Sequence, residues 1–239
     1  MPLIESLRAA FAAHADPAKA GAMQAYMKSA LPFYGIAAPL RRRLTAEVVK
    51  AHPCADTAAL ARTMRELWRG ACFREERYAV VELPRLAPGH SKLVNIELLP
   101  EVEEMIVTGA WWDLVDDISG NVLARLLERH PAEMKPLLRR WAKGDHLWLR
   151  RAAMLVHRSV SDPLFDAVLL YETILPSIGK SPFAEEFFIR KGIGWALRER
   201  SYAAPEEVKA FCTEYAAQLA PLTVREALKV IHKRSKHDG

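Results

Sequence analysis

The segment GAWWDLVDDISG places two adjacent tryptophans beside three aspartates. On an α-helix, residues four positions apart lie on the same face, so Trp112 and Asp116 project together. Trp111 points about 100° away from Trp112, and Asp113 and Asp117 form a separate stripe. An aromatic face and a carboxylate both stabilise positive charge. Trp112 and Asp116 are therefore the first candidates for chemistry in the chain.

Asp116 has an unusual position for a helical aspartate. It follows Leu114 and Val115 and precedes Ile118. Its carboxylate therefore risks losing water in the middle of a helix, where aspartate is also a poor helix former. A structural alternative is a buried ion pair with Arg151 from a later helix, which would hold the fold together without doing chemistry. The sequence leaves both interpretations open.

Two later segments carry aromatic and basic residues in the same order. LWLRRAAMLVHR (147–158) aligns without a gap with FFIRKGIGWALR (187–198), 40 residues further on. The aligned positions pair Trp148 with Phe188, Arg150 with Arg190, Arg151 with Lys191, Leu155 with Trp195 and Arg158 with Arg198. Fainter echoes lie at 75–82, 111–118 and 224–231. The sequence therefore contains an internal repeat of roughly 35–40 residues.

The apolar residues that must position these groups recur at helical spacing, and sustained alternation typical of strands is absent. We therefore predict an all-α protein. Typical helical segments are 59–68, 75–86, 95–107, 121–130 and 206–219. Prolines at positions 131, 163, 205 and 221 are predicted to lie at helix starts, where a missing N–H costs nothing.

Helical units repeating at this spacing indicate a HEAT-like or armadillo-like solenoid, in which each unit buries its apolar face against its neighbours. We predict a single solenoid domain over residues 1–232, with a concave basic face, and a basic C-terminal tail over 233–239. Stacked in parallel, the repeat helices would gather one mixed surface of aromatic rings, cations and one carboxylate. That surface would carry Trp112, Asp116, Arg151, Lys191, Trp195 and Arg198.

The composition describes an ordinary globular chain of 239 residues with a net charge of +5. Its three cysteines form no CxxC pair and no cluster with histidine, which argues against a disulfide framework or a metal site. The N-terminus indicates an amphipathic helix, and no apolar run approaches the roughly 20 residues of a membrane span. We therefore expect a cytoplasmic protein.

The basic surplus permits a polyanionic partner without requiring one. Basic clusters on helices are most often solvated faces, and tryptophans at helical spacing are most often part of a packed core. The second interpretation suits Trp68, Trp111, Trp141 and Trp148. Helical repeats also commonly serve as protein–protein scaffolds, so the architecture alone does not define the function.

Three segments in this order, WWDLVD, LWLRRAAM and FFIRKGIGWALRE, resemble the AlkD family of DNA alkylation-repair glycosylases. The segments MQAYMKSALPFYGIAAPLRRRL, MRELW and APLTVREALKVI are also similar to it, so the resemblance covers nearly the whole chain. It implies hydrolysis of the N-glycosidic bond of N3- and N7-alkylated purines in double-stranded DNA. It further implies a monomer that needs no metal or other cofactor and associates with the nucleoid through DNA.

The resemblance also assigns roles to individual residues. Asp116 matches the catalytic carboxylate, Trp112 and Trp195 match the aromatic pair beside the lesion, and Arg151 matches the neighbouring active-site arginine. Positions that resemble DNA-facing ones are Tyr26, Phe188, Lys191 and Arg198.

The sequence departs from the family pattern at three places. Gly192 stands where alanine is usual, Arg150 adds a charge beside Arg151, and residues 175–186 look inserted. Glycine inside a helix costs about 1 kcal/mol relative to alanine, so we expect a locally softer helix. The inserted-looking segment 175–186 means that the DNA contacts of the preceding loop do not carry over from the resemblance.

The implied chemistry suits these residue types. Alkylation at N3 or N7 makes the purine cationic, so its departure as a neutral base builds positive charge on the deoxyribose. A carboxylate partly shielded from water would stabilise that charge and orient the attacking water. Two alternatives remain at this stage: a non-catalytic DNA-binding solenoid that does not need Asp116, and a protein–protein scaffold.

Overall fold

The structure, a computed structural model, describes residues 2–86 and 89–235. These residues are helical and contain no strand, which confirms the predicted all-α class and is consistent with a helical repeat fold. The chain divides into two compact units, residues 1–109 and 110–239. The single domain over 1–232 stays a prediction. Of the predicted tail, residues 233–235 end the last helix, and 236–239 lie outside the described residues.

The first unit consists of short helices joined by tight connections. They are α1 (Pro2–Ala13), α2 (Pro17–Met27), α3 (Ala38–Ala51), α4 (Thr57–Arg69), α5 (Arg74–Leu86), α6 (His90–Leu93) and α7 (Leu99–Gly109), with a 3₁₀ turn at Ile96–Leu98. The N-terminal helix is amphipathic as predicted, because it buries Leu3, Ile4, Leu7 and Phe11. Asp16 and Asp56 cap the helices that follow them by accepting backbone N–H groups.

The second unit carries the repeat segments. Its helices are α8 (Trp112–Ile118), α9 (Ala124–Arg129), α10 (Pro131–Lys143), α11 (Leu147–Leu155), α12 (Ala167–Ile174), α13 (Phe187–Ala203), α14 (Pro205–Glu214), α15 (Pro221–Ala227) and α16 (Lys229–Ser235). Three of the four singled-out prolines begin helices, as predicted, whereas Pro163 lies in a 3₁₀ turn at Asp162–Leu164. Other 3₁₀ turns are Val156–Ser159 and Leu175–Ser177.

The core of the second unit forms between α11 and α13, the two aligned repeat helices. Met154 and Leu155 from α11 pack in one buried cluster with Ile189, Ile193 and Leu197 from α13. Each such apolar side chain contributes about 1.5–3 kcal/mol when it is fully buried. The repeated apolar positions therefore hold together the two helices that carry Arg151 and Trp195.

The segment after α8 is a π-helical turn, Ser119–Leu123. A Cβ added to Gly120 would lie 2.9 Å from the Ser159 hydroxyl oxygen, so glycine lets the Val156–Ser159 turn approach closely. The predicted helix over 121–130 is therefore α-helical only from Ala124 to Arg129. Single π-helical turns inside α-helices often occur at functional sites.

The tryptophans divide between core and surface. Trp68 and Trp141 are buried, as the core interpretation predicts. Trp111 and Trp148 are partly exposed but pack against each other and Phe188, so for them the core interpretation holds only in part. Trp111 lies at the N-cap of α8 with an extended backbone rather than inside the helix. Among the described residues, no helix is both long and apolar enough to cross a membrane.

Candidate active site around Asp116

Asp116 and Arg151 form a two-pronged ion pair between α8 and α11. Nε of Arg151 donates to Oδ1 of Asp116 at 2.8 Å, and Nη2 donates to Oδ2 at 2.8 Å. The Asp116 side chain is 11 % exposed and that of Arg151 is 4 % exposed. Two parallel hydrogen bonds of this kind strengthen the ion pair and fix the orientation of the two groups. The ion pair that the sequence analysis considered therefore exists, and the carboxylate keeps a small opening to solvent.

The remaining contacts of Arg151 fix its guanidinium against α13. Nη1 donates to the backbone carbonyl of Phe188, and the Phe188 ring centroid lies 6.0 Å from Cζ. A Cβ added to Gly192 would lie 3.0 Å from Nη1 of Arg151 and 3.1 Å from the sulfur of Met154. Glycine at this position, where the resemblance led us to expect alanine, thus leaves room for the arginine, a reason that the sequence did not show.

An aromatic cluster lies next to this ion pair. The ring centroids of Trp111 and Phe188 are 5.2 Å apart, those of Trp148 and Phe188 are 5.0 Å apart, and those of Trp111 and Trp148 are 6.1 Å apart. Phe187 adds an exposed ring 5.4 Å from Phe188. Phe188, predicted to face DNA, therefore packs with both tryptophans while its carbonyl holds Arg151.

The two tryptophans of the predicted aromatic pair differ in their surroundings. Trp112 begins α8 and is partly exposed. The indole N–H of Trp195 donates to Oε1 of Glu199 at 3.0 Å, which orients the ring from within the same helix. Cζ of Arg158 lies only 3.3 Å from the Trp195 ring centroid. One face of Trp195 is thus already covered by a cation of the protein itself.

Arg158 is a site residue that the sequence analysis paired with Arg198 in the repeat alignment but did not select. Its Nε and Nη1 atoms are buried and have no hydrogen-bond partner among the described residues. Burial lowers the pKa of its guanidinium, while the nearby carboxylates of Asp116 and Glu199 act to raise it. The arginine therefore lies near both acids without being paired to either of them.

Lys191 and Arg198, two of the predicted DNA-facing residues, share one carboxylate. Nζ of Lys191 and Nη1 of Arg198 each lie 3.0 Å from an oxygen of Glu226 on α15. Gly194 makes this approach possible, because a Cβ there would lie only 2.6 Å from Cβ of Glu226. Nothing in the sequence pattern indicated Glu226, since its role depends on how closely α15 packs on α13.

Because Lys191 and Arg198 share the carboxylate of Glu226, we expect the stability of the folded protein to fall at acid pH. Its hydrogen bond with Lys191 holds the pKa of Glu226 below the ordinary value of 4.5, and the Lys191, Arg198 and Lys229 charges act in the same direction. Because the folded chain binds this proton less readily than the unfolded chain, the stabilisation is complete above pH 4.5 and is lost as the pH falls further.

Glu226→Gln should therefore flatten the decline in stability below that pH, as measured by urea unfolding at a series of pH values. Parallel curves for wild type and variant would contradict the assignment.

Arg150 does not join the site, although it neighbours Arg151 in sequence. It is buried and donates to the backbone carbonyls of Lys143, Gly144 and Pro176 and to the hydroxyl of Ser177. Its guanidinium also lies 4.2 Å from the Phe183 ring. Arg150 therefore anchors the 175–186 segment.

Tyr26 belongs to α2 in the first unit and is 73 % exposed. Its role at a DNA surface stays a prediction.

The described residues contain no group of three or more histidine, cysteine, aspartate or glutamate side chains arranged to hold a metal ion.

Fold and site together define a helical protein of the repeat type, with an arginine-bound carboxylate beside aromatic rings. Residues 7–231 match the family model described as "DNA alkylation repair enzyme". The chain therefore belongs to the family of DNA alkylation repair enzymes. This result confirms the resemblance seen in the sequence, and it gives the protein a role in alkylation repair with DNA as its substrate.

A solved structure agrees with this assignment. The "Predicted DNA alkylation repair enzyme from Enterococcus faecalis" is 26 % identical to this chain, with a TM-score of 0.77. The match covers 90 % of this chain and 95 % of that one. No curated protein sequence gave a match.

Proposed function

We propose that the protein is a monofunctional DNA glycosylase that hydrolyses the N-glycosidic bond of N3- and N7-alkylated purines in double-stranded DNA. The observation that carries this proposal is the Asp116–Arg151 pair. Asp116 keeps a small solvent-facing opening, and both of its oxygens are fixed by one guanidinium. Membership of the alkylation repair family supplies the substrate class.

The reaction begins with a base that already carries a positive charge. The C1′–N bond breaks, and its electron pair leaves with the purine, which departs as a neutral base. The deoxyribose is left as an oxocarbenium-like cation. Water then adds to C1′ and releases a proton to solvent, so the products are an abasic site and a free alkylated purine. This sequence needs only side chains and water.

Asp116 stabilises the sugar cation because a fixed negative charge in a poorly hydrated site is worth more than one in bulk water. The two hydrogen bonds from Arg151 hold the carboxylate plane in place before DNA binds. No reorganisation of the acid is then required as the positive charge moves from base to sugar. Arg151 acts through Asp116 as a positioning residue.

Trp112 and Trp195 would confine the lesion nucleotide beside Asp116. A cation on an indole face gains about 0.5–2 kcal/mol. Because Arg158 covers one face of Trp195, the cationic lesion would use the exposed surface of Trp112 and the other face or edge of Trp195. Tyr26, Phe188, Lys191 and Arg198 would contact the surrounding DNA, and the protein would act as a monomer.

The proposal is tested by incubating wild-type protein with methylated double-stranded DNA and measuring the release of 7-methylguanine and 3-methyladenine by chromatography. Release well above the spontaneous rate is expected. DNA binding without any release would contradict the glycosylase assignment and favour a non-catalytic DNA-binding protein. The Asp116–Arg151 pair would then serve only to join α8 to α11.

A further inference from the structure

The cations around the candidate site differ in whether the protein supplies their partners. Arg151 is bound to Asp116, and Lys191 and Arg198 are both bound to Glu226. Arg158 is different, since its buried Nε and Nη1 have no acceptor among the described residues. A buried donor without a partner carries the full penalty of lost hydration. The folded protein therefore holds this guanidinium at a cost in free energy.

We propose that Arg158 binds a backbone phosphate of the DNA strand at the candidate site. Its Nε and Nη1 donors are buried and have no acceptor in the described part of the free protein, so the guanidinium turns toward the strand as DNA binds. This inference rests on the proposed function only for the identity of the ligand as DNA.

Arg158 is positioned by an aromatic ring and a backbone turn rather than by an acidic partner. Its guanidinium stacks on Trp195 at 3.3 Å, and a planar cation on an indole face is favourable. It projects from the Val156–Ser159 turn, whose approach to the π-helical turn depends on the missing Cβ of Gly120. Ring and turn thus position the arginine in the free protein, where its buried Nε and Nη1 have no acceptor among the described residues.

A phosphate fits this site better than a carboxylate of the protein does. Asp116 and Glu199 lie close enough to influence the charge of Arg158, yet each has another hydrogen-bond donor, Arg151 and the Trp195 indole respectively. A phosphate brings several strong acceptors and a full negative charge, and arginine matches its geometry well. The bound strand would therefore complete a charge balance that the free protein leaves open.

The test uses a duplex with a tetrahydrofuran abasic analogue, which cannot be processed, so binding is measured independently of catalysis. Arg158→Met removes the charge and keeps an unbranched side chain. The matched control is Arg200→Met, because Arg200 also stacks on a ring, Phe165 at 4.6 Å, but its Nε and Nη2 both donate to Glu207. Dissociation constants are measured by fluorescence anisotropy over a series of salt concentrations.

We expect Arg158→Met to weaken binding roughly tenfold at low salt, as for loss of a charged hydrogen bond. The slope of log K against log salt should become shallower by about 0.9, the value for one phosphate contact on B-form DNA. Arg200→Met should change neither quantity. Arg158→Lys should retain most of the slope because it keeps the charge.

A second arm locates the phosphate. Single methylphosphonates, which are uncharged, replace each phosphate near the abasic analogue in turn. At one position wild type should lose affinity while Arg158→Met loses none. Equal losses for both proteins at every position, with unchanged salt slopes, would overturn the proposal.

Two further outcomes separate the possible causes of failure. If wild type itself shows no salt-dependent DNA binding, the proposed DNA substrate fails and this inference fails with it. If wild type binds with a steep slope and Arg158→Met binds identically, only the inference fails.

Stability gives a separate check. If the urea midpoint of Arg158→Met is no lower than that of wild type, the free protein gains no stability from Arg158, as expected for a guanidinium whose buried donors have no partner among the described residues. A large fall in that midpoint with an unchanged slope would show that the arginine is structural.

Discussion

Asp116→Asn is expected to lower the release of alkylated purines by roughly 100-fold to 1,000-fold, the range found when one preorganised electrostatic group is removed from an active site. Asparagine keeps the shape of the side chain and can still accept one hydrogen bond from Arg151. It removes the negative charge that would stabilise the sugar cation. Single-turnover release of 7-methylguanine from methylated duplex DNA measures this effect.

The same change should affect stability and binding differently from activity. Arg151, 4 % exposed, loses its charged partner, so the free energy of unfolding should fall by about 1–3 kcal/mol. Urea unfolding shows whether enough folded protein remains for the assay. Affinity for abasic-analogue DNA should not fall, because a negative charge near the phosphates has been removed.

Asp113→Asn is the matched control for this prediction. Asp113 lies three residues earlier on the same helix, and its carboxylate accepts the backbone N–H of Leu114 rather than binding Arg151. We expect it to release purines at nearly the wild-type rate. Equal release by wild type and Asp116→Asn would rule out the proposed catalytic role of the carboxylate.

Gly194→Ala should be strongly destabilising and Gly192→Ala much less so, although both glycines lie in α13. A Cβ at Gly194 would meet Cβ of Glu226 at 2.6 Å and the carbonyl oxygen of Thr223 at 3.0 Å. Neither atom is the flexible end of a side chain, so α15 itself must move. Overpacking of this kind costs about 1–3 kcal/mol, measured as a fall in the free energy of unfolding.

At Gly192 the added Cβ would lie 3.0 Å from Nη1 of Arg151 and 3.1 Å from the sulfur of Met154, so a displacement of a few tenths of an ångström relieves the contact. The gain of about 1 kcal/mol in helix propensity offsets that shift. Both variants therefore gain the same helix propensity, and they differ only in the atoms that the new Cβ contacts. Equal stabilities would show that α13 and α15 do not pack as closely as the structure describes.

Much of the fold could be predicted because helical periodicity is a local property. The α4 and α5 helices extend only a few residues beyond the predicted segments 59–68 and 75–86. Boundaries that depend on distant contacts were missed. The segment predicted to be helical through residue 219 leaves its helix at Glu214, and the Gln218 carbonyl instead accepts the N–H of Gly179.

The sequence predicted those residues of the candidate site that follow from helical spacing or from the alignment of the two repeat segments. Helical spacing associated Trp112 with Asp116, and the Asp116–Arg151 ion pair was already one of the interpretations that the sequence left open. Arg158 was visible as the counterpart of Arg198, but its unpaired state depends on tertiary packing. Glu226 gave no signal, because a glutamate on a surface helix becomes important only when a glycine brings that helix close.

The pairing of Lys191 and Arg198 with Glu226 has a consequence for how this surface would respond to ionic strength. The three side chains together carry one net positive charge. Glu226 is a counterion tethered to the backbone, and it cannot diffuse away when DNA arrives. Two cations that contact phosphates here would release about one ion from the DNA rather than two. The slope of log K against log salt would therefore indicate fewer phosphate contacts than the protein makes with the bound DNA.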